Sequence, residues 1–212
     1  IGLTWPEQWG GAGGALLDLY PIYLEMGRSL APTPHLASAV IAGETLVRAG
    51  SDAQRARLLP RMARGECVVA PALVEPRGEW GPAGIELSAR ADGSGFRLDG
   101  AKILVPYAHV AAEILVAART SKADDGVTLF LIEPGAGGVK LERLPNIAGY
   151  PLFALSFDGA RVSRDAVVGE VDRGWTAQSC PGWCGPPPPS AARISATHLP
   201  EIRSSSWRLG QP

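Results

Sequence analysis

A turn-rich loop that carries an acid and a tryptophan is the stretch of this sequence best suited to binding a ligand. Glu79 and Trp80 lie in this loop, residues 77–84, which also holds three glycines. The loop follows a short apolar run, residues 68–74, whose valines favour a β-strand. Pro76 ends that run because proline has no N–H group to donate to a sheet ladder. An open loop beside a strand, with an acid at its edge, can hold a flat ligand.

Other residues with catalytic or metal-binding chemistry are poorly spaced for it. Cys180, Cys184 and His198 could bind zinc, but their spacing is unfavourable and a fourth ligand is missing. His35 and His109 have no serine or cysteine partner in a recognisable setting, and no Ser-His-Asp pattern or carboxylate pair is evident. We therefore expect these histidines to be packing or surface residues.

The first third of the chain has the periodicity of helices. Apolar residues at helical spacing predict a helix over residues 15–30, which Pro21 should kink or split. A second helix is predicted over residues 35–49. Ser51 and Gln54 have the spacing of a capping box and should begin a third helix.

The middle of the chain has the turn chemistry and alternation of an antiparallel sheet. Residues 85–91 and 96–98 are β-type segments joined by an Asp-Gly-Ser-Gly turn, and the chain returns as a further segment over residues 102–105. Residues 127–133 and 139–144 predict more strands, the last half-buried because apolar and charged residues alternate. Helices followed by strands predict an α+β fold, in which N-terminal helices precede a mostly antiparallel β-domain.

Composition and charge are those of an ordinary globular protein. The chain has 212 residues, of which 46% are hydrophobic and 19% charged, with a formal net charge of -1. This charge gives no indication of binding to nucleic acid or to an anionic membrane, and no apolar run approaches the length of a membrane span. An odd count of three cysteines argues against a disulfide framework and predicts a cytoplasmic location. Because the first residue is not methionine, we expect the chain to begin inside a longer gene product.

Three motifs follow one another along the middle of the chain. They are Ala-Leu-Val-Glu-Pro at residues 72–76, Phe-Arg-Leu-Asp-Gly-Ala-Lys at residues 96–102, and Ala-Glu-Ile-Leu-Val-Ala-Ala-Arg-Thr at residues 112–120. In this order they resemble motifs of the acyl-CoA dehydrogenases. The resemblance covers residues 1–175. It implies FAD as cofactor, an acyl-CoA thioester as substrate, and removal of the α-proton with transfer of the β-hydrogen to flavin N5 as hydride. It also implies a place in fatty acid or lipid metabolism, an electron-transfer acceptor, and an oligomer in the intact family member.

The resemblance also implies which residues would contact the cofactor. Leu73 and Val74 would lie against the flavin with their backbone groups, and Leu104, Val105 and Pro106 would line its other edge. The alternative is that these are simply core residues at the ends of strands. Leu73 and Val105 taken alone favour that alternative, whereas the paired motifs favour contact with flavin.

This sequence departs from the family pattern at some of the positions expected to contact the cofactor. Val74 stands where the family has threonine, so a hydroxyl near the flavin is missing, and Pro106 provides neither an N–H group nor a hydroxyl. Glu79 and Trp80 replace the usual Gly-Ser-Asp region and are predicted to bind substrate. The variant resembles family members with a Val-Pro segment, some of which act on bulky or cyclic acyl groups.

Three regions are expected: a partial N-terminal helical domain (residues 1–66), a middle β-domain (67–175) and an aberrant or disordered tail (176–212), where all periodicity is lost. In the family a long helical domain follows the β-domain and supplies the catalytic carboxylate. No residue here matches that carboxylate, so the catalytic base is unknown and we expect this truncated chain alone to be inactive. Two alternatives stay open, namely a non-catalytic subunit or fragment of such an enzyme, and a flavin-free β-domain that binds a ligand or a partner.

Overall fold

The structure is a computed structural model that describes residues 1–147 and 149–178. The predicted tail beyond residue 178, and with it the candidate zinc ligands Cys180, Cys184 and His198, lies outside the described residues. The described residues fall within one unit, Ile1–Ser179.

Helices dominate the first third of the chain, as predicted. They are α1 (Tyr20–Arg28), a π-helical segment (Leu36–Gly43) that continues directly into α2 (Glu44–Ala49), and α3 (Asp52–Ala63); a short α4 (Gly174–Gln178) follows the sheet. The capping box is confirmed, since Gln54 N donates to Ser51 Oγ at 3.2 Å and Ser51 N donates to Gln54 Oε1 at 3.0 Å. Pro21 lies in the first turn of α1, where its missing N–H costs nothing. A 3-10 turn (Leu16–Leu19) precedes α1, so the helix predicted over residues 15–30 is split into a turn and a helix, which meet just before Pro21.

Within residues 1–147 and 149–178, eight strands form one sheet. They are β1 (Val68–Ala72), β2 (Ser88–Asp92), β3 (Gly95–Pro106), β4 (Ala111–Arg119), β5 (Val127–Ile132), β6 (Val139–Leu144), β7 (Leu152–Ser163) and β8 (Val167–Val168). Their order is β6-β7-β3-β2-β4-β5-β8, with β1 paired to β4. All pairings are antiparallel except β1 with β4 and one contact between β2 and β4. The prediction of N-terminal helices before a mostly antiparallel β-domain is confirmed.

Strand β3 is longer and less regular than the sequence pattern predicts. The segments at residues 96–98 and 102–105 belong to one strand, in which the pairing with β7 shifts between Leu98 and Gly100 and again between Lys102 and Val105. Within the second irregularity Leu104 has a φ of 56°, in the left-handed region that side chains other than glycine rarely adopt. The irregularity bends the strand where it meets the helices.

Both faces of β4 are buried, each in a different apolar cluster. Ile114 and Val116 pack with residues of β3 and β7 such as Leu98. Leu115 faces the other way, into a cluster that contains Trp5 and residues of α2 and α3. Since successive residues of a strand point to opposite faces, this explains why β4 is apolar almost throughout.

None of the helices within residues 1–147 and 149–178 is long and apolar enough to cross a membrane.

Candidate functional site

An apolar cleft opens where the end of β1, the bent part of β3 and the helical region meet. Its volume is about 360 Å³, near the lower end of the range of about 300–1,000 Å³ typical of small-molecule sites. Fifteen residues line it: Ala31, Pro32, Thr33, Leu36, Ala37, Ile41, Pro71, Leu73, Val74, Trp80, Ile103, Leu104, Pro106, Tyr107 and Tyr150. Apolar side chains predominate, as expected for a site that holds an aromatic ring system by surface contact.

The sheet side of the cleft is formed by two segments that are far apart in sequence. Leu73 and Val74 continue from β1, and Leu104 and Pro106 come from the bent part of β3. A backbone hydrogen bond from Ile103 N to Val74 O, 2.9 Å long, joins the two segments. The left-handed backbone at Leu104 leaves its side chain 49% exposed. Strained backbone of this kind is common at ligand sites, where the surrounding fold holds it in place.

The opposite wall is helical and was not predicted from the sequence. It consists of residues just before and within the π-helical segment, including Leu36, Ala37 and Ile41. The wider turn of a π-helix displaces side chains from α-helical positions, and such segments are often found at functional sites. Ser38, in the same segment, faces the sheet instead, and its hydroxyl accepts a hydrogen bond from Val69 N at 3.1 Å. The helical wall is thereby fixed to β1.

Three aromatic side chains stand at the rim of the cleft. Tyr107 and Tyr150 stack with ring centres 6.1 Å apart, and Trp80 makes an edge contact with Trp175 of α4 at 5.8 Å. The hydroxyl of Tyr107 is buried and has no hydrogen-bond partner among the described residues. Burial raises the pKa of Tyr107 above its ordinary value. Trp80 is 68% exposed although it lines the cleft.

A buried ion pair supports the sheet side of the cleft. Lys102 Nζ donates to Glu75 Oε1 at 2.6 Å, and the Lys102 side chain is completely buried. The Glu75 carboxylate also accepts hydrogen bonds from the backbone N–H groups of Glu86 and Leu87, at 2.9 and 3.0 Å. Burial lowers the pKa of Lys102 to about 8, against the opposing effect of Glu75. The pair explains physically why the motifs at residues 72–76 and 96–102 occur together, since each supplies one partner.

The carboxylate of Glu75 is fully engaged and cannot readily accept a proton from a substrate. Its two oxygens together accept three hydrogen bonds, one of which comes from the Lys102 cation.

Arg119 holds the far end of the loop that carries Trp80, because its guanidinium donates to the carbonyl oxygens of Pro82 and Ile85. The loop is thus held at both ends by buried or half-buried charged groups.

The predicted site residues are only partly brought together. Four of the five predicted cofactor contacts, Leu73, Val74, Leu104 and Pro106, line the cleft, whereas the side chain of Val105 is fully buried in the core of the sheet. Of the two predicted substrate contacts, Trp80 lines the cleft. Glu79 is exposed outside it and pairs with Arg77 at 3.1 Å. These roles in binding stay predictions.

The two described histidines have packing roles, as expected from the sequence. His35 Nδ1 lies 2.8 Å from Tyr23 Oη and its Nε2 lies 3.1 Å from Ile1 O. His109 stacks on Phe153 with ring centres 5.0 Å apart. Across the part of the chain that the structure describes, no group of His, Cys, Asp or Glu residues is arranged to hold a metal ion.

The cleft fits the isoalloxazine ring of FAD better than it fits the whole cofactor. Apolar walls and stacked aromatic side chains suit a flat ring, and Tyr107, whose hydroxyl has no partner among the described residues, also lines the cleft. A dinucleotide is longer than this cleft, so its remaining parts would have to extend beyond the lining residues.

Comparison with known proteins adds evidence from sequence. A family model described as acyl-CoA dehydrogenase, N-terminal domain, matches residues 1–66. The chain is 30% identical over 179 residues to acyl-CoA dehydrogenase IpdE1 of Mycobacterium tuberculosis, an alignment that covers 82% of this chain and 46% of that protein. The chain therefore spans about half the length of the curated relatives that it matches.

Solved structures with the same fold give the same result. A glutaryl-CoA dehydrogenase from Mycobacterium smegmatis in complex with FADH2 superimposes with a TM-score of 0.73 at 26% identity, over 84% of this chain and 46% of that one. The steroid ACAD Tcur3481-Tcur3483 gives a TM-score of 0.75 at 28% identity, over 84% of this chain and 47% of that one. Sequence and fold together confirm the resemblance, and the chain is a relative of the acyl-CoA dehydrogenases across their N-terminal and middle parts.

Proposed function

We propose that this chain forms the flavin-binding wall of an FAD-dependent acyl-CoA dehydrogenase. The observation that carries the proposal is the cleft itself, in which the two segments predicted to contact flavin are joined by the Ile103–Val74 hydrogen bond. The family relationship and a structural neighbour solved in complex with FADH2 support it. Bound FAD supplies the acceptor for a hydride from the β-carbon of an acyl-CoA thioester.

The residues of the cleft would bind and orient rather than react. Leu73, Val74, Leu104 and Pro106 offer apolar surface to one side of a flat ring, and water is excluded to the extent that Trp80 covers the opening. Val105 can contribute only through its backbone, since its side chain is buried elsewhere. Fixing a ring and a thioester in contact is a large part of the catalytic task, because orientation removes much of the entropic barrier.

The base that removes the α-proton is not among the residues lining this cleft. No lining residue is acidic in the described part of the chain. Glu75 is occupied by Lys102 and two backbone donors, and Glu79 is exposed and paired with Arg77. We therefore propose that a carboxylate outside the described residues, or on another chain, completes the site. The described part by itself is expected to oxidise no acyl-CoA, because loss of a general base typically costs about 100- to 10,000-fold in rate.

The wider functional setting is proposed from the relatives. Acyl-CoA as substrate, an electron-transfer acceptor, assembly into an oligomer and a role in lipid metabolism all follow the family, and we propose a cytoplasmic location. We propose a bulky or cyclic acyl group as substrate, because some family members with a similar Val-Pro segment act on such groups and the steroid ACAD Tcur3481-Tcur3483 has the same fold.

Flavin titration tests the proposal directly. The 212-residue chain should quench flavin fluorescence saturably on addition of FAD, and should retain the visible flavin absorption after gel filtration. Leu104→Asp should weaken binding at least tenfold because it places a charge against an apolar ring. Leu17→Asp is the matched control, since Leu17 is 79% exposed and does not line the cleft.

The same titration separates the alternatives. A flavin-free binding module is favoured by one observation, that Val74 and Pro106 offer no side-chain hydroxyl and Pro106 no N–H to a flavin. Absence of FAD binding, or equal weakening by the two aspartate variants, would support that alternative. FAD binding, with no increase in turnover over that of an added full-length relative alone, would support a non-catalytic subunit or fragment.

A further inference from the structure

Three arginines lie side by side on the sheet, near the opposite end of β3 from the cleft. Arg90 of β2 is paired directly with Arg97 of β3, and Arg97 is paired directly with Arg161 of β7. Directly paired residues share a face, with Cβ atoms about 4.5–5.5 Å apart. We call these three residues the arginine row. Like charges in such pairs destabilise a sheet, so the row has a cost that another function can offset.

The row carries more positive charge than its neighbours neutralise. Asp92 lies 3.2 Å from Arg161, and Asp99 lies 3.8 Å from Arg97. One oxygen of Asp99 is already occupied, since it accepts a hydrogen bond from Gly159 N at 2.8 Å. Arg90 forms no ion pair with any residue in the described part of the chain. Three guanidinium groups and two carboxylates leave a local surplus of one positive charge.

A shallow polar depression of about 620 Å³ surrounds the row, and Ala91 is the only apolar residue among the described residues that line it. Gly159 makes room for the central arginine. It has a φ of 61°, and a Cβ atom there would lie 2.7 Å from Arg97 Nη2. The missing side chain allows the guanidinium of Arg97 to lie against the backbone of β7. The floor of the depression is therefore a charged, planar donor group.

We propose that the arginine row binds a phosphate group of a small molecule. Guanidinium groups donate two parallel hydrogen bonds to phosphate oxygens, and two neighbouring arginines can contact opposite sides of one phosphate. An acidic protein surface is less suitable, because protein interfaces use about 20–30 residues per side and this depression is lined by six. Since the arginines are exposed, binding is weak and sensitive to salt. This proposal stands apart from the flavin cleft.

Calorimetric titration of the 212-residue chain at low ionic strength tests the row, with inorganic diphosphate as the probe. We expect saturable binding that is weakened at least tenfold in Arg97→Gln and in Arg90→Gln. Arg143→Gln on β6 is the matched control, because Arg143 is also an exposed strand arginine but lies outside the depression. Circular dichroism checks the fold of each variant. Arg90 makes no ion pair among the described residues, so its variant decides the outcome if Arg97→Gln does not fold.

The origin of the phosphate is distinguished by a second arm with adenosine diphosphate. Tighter binding of the nucleotide than of diphosphate would identify a nucleotide ligand, and equal binding would identify free phosphate; both results support the site. Three results would overturn it: no saturation by either probe, equal loss of affinity in Arg143→Gln, or full affinity in a folded Arg90→Gln. Tighter binding of an acidic peptide than of both probes would reassign the row to a protein partner and also overturn the proposal.

Discussion

Replacing Lys102 by methionine should destabilise the protein strongly, because it leaves the buried Glu75 carboxylate without a cation. Lys102 is 0% exposed and Glu75 is 4% exposed. Removing one partner of a buried ion pair costs about 3–5 kcal/mol. The backbone N–H groups of Glu86 and Leu87 still stabilise the carboxylate, so we expect the lower end of that range, about 3 kcal/mol. Domains are stable by only about 5–15 kcal/mol, so the loss is a large fraction of the total.

Thermal unfolding measures this loss. At roughly 2–4 °C per kcal/mol for a chain of this size, Tm should fall by about 6–12 °C. Lys122→Met is the matched control, since Lys122 is exposed in a loop, and it should stay within about 0.5 kcal/mol of the wild type. The double variant Glu75→Gln/Lys102→Met should cost less than the sum of the two single changes, because the charges are removed together.

The stability difference between wild type and Lys102→Met should also depend on pH. Burial lowers the pKa of Lys102 from 10.5 in the unfolded chain to about 8 in the folded protein. Between these values the folded state binds fewer protons than the unfolded state, so the wild type gains stability relative to the variant as pH rises. The gain is on the order of 1–3 kcal/mol. A cost below about 1 kcal/mol at pH 7, or a difference that shrinks between pH 8 and pH 10, would refute the account of the pair.

Two further predictions concern backbone conformation. Leu104→Gly should leave the free energy of unfolding unchanged or raise it by up to about 1 kcal/mol, because glycine adopts the left-handed region at φ 56° without strain. The same change should weaken FAD binding, since it removes apolar surface from the wall of the cleft. Urea unfolding measures the first effect and flavin titration the second, and a loss of stability above about 1 kcal/mol would contradict the argument that Leu104 is strained. Gly100→Ala should lower the free energy of unfolding by about 2 kcal/mol, since the φ of Gly100 is 141° and the new Cβ would lie 3.0 Å from Leu87 Cα. Urea unfolding measures the loss. Gly137→Ala is the control, because a Cβ atom at Gly137 would have no atom within 4 Å, and equal effects of the two changes would contradict the steric argument.

Local signals in the sequence predicted local structure correctly. The Ser51–Gln54 capping box acts over three residues, and the turn before β3 acts over four, so no tertiary information was needed for either. Strand β3 was predicted in two pieces because Asp99 and Gly100 interrupt the apolar pattern, and the first shift in its pairing with β7 lies there, between Leu98 and Gly100.

The candidate site was less predictable because it is made by contacts between distant segments. Ala37 and Ile41 follow a helical pattern, and nothing in that pattern indicates that they face β3. Val105 was grouped with its neighbours, but the shift in register turns its side chain into the core. Glu75 and Lys102 are each typical of a surface residue by composition, and only the fold shows that they neutralise each other in the interior.

Strand β6 lies at one end of the sheet, and no described strand pairs with its outer side. Its free N–H and C=O groups are a template on which another extended chain could add. Lys140, Glu142 and Arg143 make this addition unfavourable, because each is exposed and charged in a strand that otherwise consists of valine and leucine. These three residues act as gatekeepers against self-association. Replacing Lys140 and Glu142 with valine would leave the pairing of β6 with β7 intact but would make the edge of the sheet prone to aggregation. The effect of such substitutions should therefore be measured as a loss of solubility rather than as a loss of unfolding free energy.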